Sequence, residues 1–128
     1  MLPLVHPRLW LAGALLLATG IIVGSLLPGP VVAPVGGHDK LEHVGAYFVL
    51  TLWMVGLVER RWYPTAALAA LALGAALEVA QGLLTVTRQA DVFDLVADGG
   101  GVAFALTLAY LGIGGWAGRL ERWLGAGP

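Results

Sequence analysis

Asp39, Lys40, His43 and Tyr47 place an acid, a base, an imidazole and a phenol at the opening of an apolar stretch. Asp39, His43 and Tyr47 are spaced i, i+4, i+8, so a helix carries them on one face. Two later sets answer them. Glu78, Gln81, Thr85 and Arg88 follow at i, i+3, i+7, i+10, and Asp91, Asp94, Asp98 and Gly101 repeat that spacing. Such groups could hold a polar head group through charge-assisted hydrogen bonds. They could also ligate a divalent cation, for which Asp39, His43, Glu78, Asp94 and Asp98 have suitable donors. Glu78 or His43 could act as a general base. No helix carries the His-x-x-x-His spacing of common metal enzymes.

The elements that position these residues must be membrane helices. Of 128 residues, 59% are hydrophobic and only 12% charged, about half the share of charge in soluble domains. Mean hydropathy is +0.84. A soluble chain of this length has too little interior for so much apolar side chain. There is no cysteine, which excludes disulfides, thiolate metal sites and cysteine nucleophiles. With a net charge of −1 and no basic run, nucleic acid is not an expected partner.

The expected fold is all-α: one domain over residues 1–128, a polytopic four-transmembrane-helix bundle with a short interfacial segment at the C-terminal end. The first helix is expected over about 9–27, a charge-free run of the roughly 20 residues that cross a bilayer. It is too long for a signal-peptide core. Gly20 and Gly24 form a GxxxG pair suited to a close helix contact. The breaker-rich stretch 28–38 follows. The second helix, about 40–58, takes Asp39 as N-cap. The third, about 64–87, starts at Pro64 and carries the small-residue stripe Ala66, Ala70 and Gly74. The fourth, about 92–114, is expected to be interrupted early by Gly99–Gly101. Residues 116–123 form the interfacial segment. Arg8, Arg60, Arg61, Arg119 and Arg122 fall at one end of this bundle, Lys40 and Arg88 at the other. The arginine-rich end is expected inside the cell membrane, with both termini cytoplasmic.

In that arrangement all three polar stripes begin at the outer surface. At about 1.5 Å per residue, Glu78 lies roughly 13 Å below the helix end, and Tyr47 and Asp98 about 10 Å below theirs. Asp39, Glu78, Asp91, Asp94 and Asp98 are five carboxylates against the two cations Lys40 and Arg88. A surplus of acid in a low-dielectric region is costly. Protonation, an imidazolium at His43, a bound cation or a cationic ligand would offset it. Intramembrane ionisable groups are functional by default, Glu78 above all. Structural roles stay open beside the functional ones. Asp39 could simply cap its helix, Lys40 snorkel, Tyr47 pack, Gln81 bond across helices and Asp98 serve backbone near the glycines. Arg88, Asp91 and Asp94 could form a solvated turn. Glu42, Glu59 and Glu121 are expected to be solvated.

Asp39-Lys40, His43, Tyr47, Glu78, Gln81, Arg88, Asp91, Asp94 and Gly101 occur in an order that resembles the VanZ-like membrane family. The resemblance covers about residues 39–101. One position departs from it, Asp98, where the family usually has asparagine. The resemblance implies a small multi-helix membrane protein and a link to resistance against glycopeptide antibiotics, teicoplanin in particular.

Two functions are therefore expected. The first is a binding protein whose acid-rich pocket opens to the outer leaflet and takes the head group of a membrane lipid, a lipid-linked cell-wall precursor or a glycopeptide antibiotic. Its site would comprise Asp39, Lys40, His43, Tyr47, Glu78, Gln81, Arg88, Asp91, Asp94 and Asp98. The second is a membrane-embedded enzyme, metal-dependent if these groups hold a cation, acting on a lipid-linked substrate. No cofactor is required by the sequence; a divalent cation is the candidate. Ion transfer ranks last, because the opposite half of the helices is almost purely apolar.

Overall fold

A computed structural model describes residues 1–27, 38–85 and 91–125. They form five α-helices: α1 (Pro7–Leu26), α2 (His38–Leu57), α3 (Tyr63–Leu84), α4 (Val92–Leu108) and α5 (Trp116–Trp123). A 3₁₀ turn (Arg60–Trp62) leads into α3, and a π turn (Ala109–Ile113) follows α4. The described residues contain no strand. Three helical stretches, Pro7–Leu26, Arg60–Leu84 and Val92–Ile113, are long and apolar enough to cross a membrane. α2 has the same 20-residue length as α1, but Asp39, Lys40, Glu42 and His43 occupy its first two turns. Large apolar side chains such as Leu15, Leu68, Phe93 and Leu111 are exposed, as a lipid-facing surface requires and an aqueous one does not.

The tightest seam joins α4 to α2. A Cβ at Gly101 would lie 2.2 Å from the Val44 carbonyl oxygen and 2.8 Å from the Phe48 nitrogen, so only glycine lets these backbones meet. α4 runs without a break through Gly99–Gly101, which corrects the expected early interruption. The irregularity falls later, in the π turn, where Gly112 takes φ 117°. α3 lays Ala66, Ala70 and Gly74 inward, as the small-residue stripe predicts. Ala67, Ala70, Tyr47, Leu50 and Val102 build one core cluster. Val55, Tyr63, Ala66 and Ala109 build a second.

α1 buries none of its own residues. Leu17, Ala18 and Ile21 pack partly buried against the first core cluster, and aromatic and polar contacts gather near the helix start. Gly13 sits against the Trp53 ring, and Trp10, Trp53 and Trp116 form a triangle with centroids 5.3–5.6 Å apart. Two of these indoles donate to backbone carbonyls, Trp53 Nε1 to Trp10 O at 3.0 Å and Trp116 Nε1 to Leu52 O at 2.9 Å. Glu121 of α5 completes this end. Its carboxylate accepts from Val5 N (2.7 Å), His6 N (2.9 Å) and Trp10 Nε1 (2.8 Å). His6 is the N-cap of α1, so its N–H is a donor that the helix leaves without an intrahelical partner. Glu121 is therefore buried, not solvated as expected. Leu2 N also donates to Leu57 O, and Gly115 N to Val55 O. One end of the molecule thus gathers the N-terminal segment, the end of α2, the start of α3 and α5. The other gathers the end of α1, the start of α2, the end of α3 and the start of α4.

Candidate functional site

That second end holds the polar stripes. α2 begins at His38, one residue before the expected cap, so Asp39 lies in its first turn. There its charge suits the positive end of the helix dipole. Lys40 reaches across to α4, donating to Asp91 Oδ2 at 2.6 Å and to Asp94 Oδ1. Asp91 is the N-cap of α4 and accepts from Phe93 N at 2.8 Å. A capping acid before an apolar run was the legible signal for this role. The Lys40 ammonium, then the Phe93 N–H, hold the Asp91 carboxyl below the usual carboxylate range.

Deeper in, His43 Nδ1 lies 2.8 Å from Asp98 Oδ1, and Asp98 is only 1% exposed. A carboxylate so placed pairs with a protonated Nδ1 and leaves Nε2 facing outward. Nε2 is 3.7 Å from Asp94 Oδ2. Tyr47 and Asp98 both press on Gly74, where an added Cβ would meet Asp98 Oδ2 at 2.5 Å and the Tyr47 hydroxyl at 3.3 Å. That glycine brings the α3 backbone against the acid layer. Glu78 Oε2 accepts from Asp91 N at 2.8 Å, which gives a donor at the start of α4 a carboxylate partner. Gln81 turns away from the acids. Its Nε2 donates to Ser25 O of α1 at 3.0 Å, so it bonds across helices.

The structure brings together Asp39, Lys40, His43, Asp91, Asp94 and Asp98, with Tyr47 and Glu78 at their flank. Arg88, and the expected helical residues 86 and 87, lie outside the described residues. Asp39, His43 and Asp94 can each offer one ligand atom such that all three lie within 4.8 Å of one another. Glu78 is not in that group.

A cavity of about 420 Å³ opens beside this cluster, between α1 and α2. Leu16, Leu17, Ile21, Ala46 and Val49 line its apolar part, and Ser25, Asp39, Glu42 and His43 its polar end. Gly20 and Gly24 line it too, and nothing lies within 4 Å of a Cβ at either. The GxxxG pair therefore borders open space in place of the expected helix contact. Glu42 is exposed, as expected, and also lines the cavity mouth. Its position is legible in hindsight, since Asp39, Glu42, Ala46 and Val49 follow helical spacing.

No family model matches the chain, nor does any curated protein or solved structure.

Proposed function

We propose that this chain is a VanZ-like, four-helix, multi-pass protein of the cell membrane, with both termini cytoplasmic, that binds an amphiphile by its polar head. The ligand is a membrane lipid or a lipid-linked cell-wall precursor. Its head meets the cluster of Asp39, Lys40, His43, Asp91 and Asp94 in the outer leaflet, and its chain lies along α1. A lipid-tailed glycopeptide such as teicoplanin has the same two-part character, which is how a contribution to resistance would arise.

The observation that carries this reading is the cavity. It joins an apolar wall to a charged mouth, and its size falls within the roughly 300–1,000 Å³ of small-molecule sites. α2 takes its place as the fourth span because its charged turns sit at the end where the polar stripes of α3 and α4 meet it, while Ala46 to Leu57 is free of charge.

The test is native mass spectrometry of the detergent-solubilised protein with a polyprenyl phosphate, phosphatidylglycerol or teicoplanin. A Cβ at position 20 meets nothing within 4 Å and Gly20 lines the cavity, so Gly20→Leu should project into it with an unfolding midpoint close to wild type. It should weaken retention of the bound probe at least tenfold. Equal retention by wild type and Gly20→Leu would remove the cavity as the site.

A metal-dependent enzyme on a lipid-linked substrate is the second reading, favoured by the approach of Asp39, His43 and Asp94. Of the two candidate bases, His43 lines the cavity and Glu78 does not. Metal-dependent turnover of the polyprenyl probe, lost in His43→Gln, separates this reading from binding alone.

A further inference from the structure

The cavity mouth poses an electrostatic problem. Asp39 and Glu42 line it, Asp91, Asp94 and Asp98 stand beside them on α4, and among the described residues Lys40 and the imidazole of His43 are the groups that pair with the α4 acids. The head groups of lipids and lipid-linked precursors are mostly phosphates. An acid-rich mouth repels a phosphate unless a cation stands between them.

The geometry supplies a place for that cation. His43 is oriented from behind by Asp98 through Nδ1, the outer-shell arrangement that fixes a ligating imidazole. Asp94 is oriented in the same way, since Lys40 occupies its Oδ1. Its Oδ2 belongs to a side chain only 9% exposed, faces Nε2 of His43 at 3.7 Å, and takes no hydrogen bond from any described residue. That separation is beyond hydrogen-bond range. It is close to the roughly 3.4 Å between two ligands of one tetrahedral ion with bonds near 2.1 Å. Asp39 offers the third donor from the adjacent turn. Asp39 and His43 also line the cavity, so the remaining coordination positions would face it, as in sites that keep a place open for substrate.

We infer that Asp39, His43 and Asp94 hold a divalent cation at the mouth of the α1–α2 cavity, and that its open positions take the phosphate of the amphiphile. One nitrogen and two carboxylates suit Mn²⁺ or Zn²⁺ better than Ca²⁺. The phosphate part rests on the binding function proposed above; the cation site does not. Asp98 and Lys40 are positioning residues, each acting through a ligand.

Mn²⁺ is the probe. The full-length protein in detergent micelles is titrated with Mn²⁺, and the bound ion is examined by pulsed electron paramagnetic resonance for coupling to an imidazole ¹⁴N. Wild type should bind one Mn²⁺ with that coupling. Asp94→Asn should weaken binding at least tenfold. Asp98→Asn should weaken it by about 10–100-fold, while Glu59→Gln on the exposed turn leaves it unchanged. Absence of binding at millimolar Mn²⁺, or a bound ion without ¹⁴N coupling, overturns the site from wild type alone, whatever the variants do.

Polyprenyl phosphate binding is then measured with Mn²⁺ and with EDTA. A tenfold or greater loss in EDTA supports the bridge. Equal binding in EDTA removes the bridge but leaves the binding function. A coupled Mn²⁺ with no polyprenyl phosphate bound under either condition removes the binding function but leaves the cation site.

Discussion

Two carboxylates outside the long spans carry a pH dependence that can be signed. Lys40 and the Phe93 N–H lower the Asp91 carboxyl. Burial pushes Glu121 up, but the N–H groups of Val5, His6 and the Trp10 indole together bring it below its usual range. A carboxyl lowered on folding binds fewer protons in the native state than in the unfolded one, so stability rises with pH. Their contribution is fully present above about pH 4.3, the ordinary upper value for these groups, and is lost as pH falls through the lowered values. Thermal unfolding in detergent between pH 7 and pH 3 should show a falling midpoint below about pH 4. Glu121→Gln should start lower at pH 7 and lose part of that acid sensitivity; an unchanged profile would mean the clamp on α1 is not formed. The polar stripes were legible in the sequence because each acid or base stood alone against apolar neighbours. Glu121 was not. Two of its three partners are backbone N–H groups 115 and 116 positions away and the third is the Trp10 indole, and no local spacing announces them.

At the scale of elements, glycine decides which helices touch, and its surroundings decide how. Gly101 lies under the α2 backbone, whereas Gly20 and Gly24 face a void. Sequence spacing does not separate these cases, since a small residue permits approach without compelling it. Gly101→Ala should therefore destabilise the α2–α4 seam by about 1–3 kcal/mol through overpacking, while Gly24→Ala should change thermal stability little. Comparison of their unfolding midpoints in one detergent checks the contrast, and equal effects would contradict the packing described. The helix starts were readable to within about two residues, because run length and charge spacing specify them, whereas α4 ends at Leu108, short of the expected 114. The continuity of α4 through three glycines was not readable. Local propensity argues against helix there, and it is the contact with Val44 and Phe48 that favours it.

For the whole molecule, the separation of charge along the bundle gives a direction. Arg60 stacks over Tyr110 and Arg119 caps the Ile113 and Gly114 carbonyls, both at the end where the N-terminal segment lies. The acid cluster is at the opposite end. The orientation proposed above puts the arginines inside the cell. The chain has no cysteine of its own, so single cysteines report cleanly. Val92→Cys, at a 76% exposed position, should react with an impermeant maleimide on intact cells, and Arg61→Cys should react only after lysis. The reverse pattern would invert the topology and move the cavity mouth to the cytoplasmic leaflet. The Glu121 clamp adds an order of events in time. α1 leaves the ribosome before α5, so the acceptor for Val5, His6 and Trp10 is made more than a hundred residues later. At about 5–20 residues per second, the first helix waits roughly 6–22 seconds for its fastening. Through that interval the wall of the cavity is held only by neighbours already in the bilayer. A chain that stalls before residue 121 therefore keeps the contacts of Trp53 and Gln81 to the first helix but leaves the N–H groups of Val5 and His6 without their carboxylate.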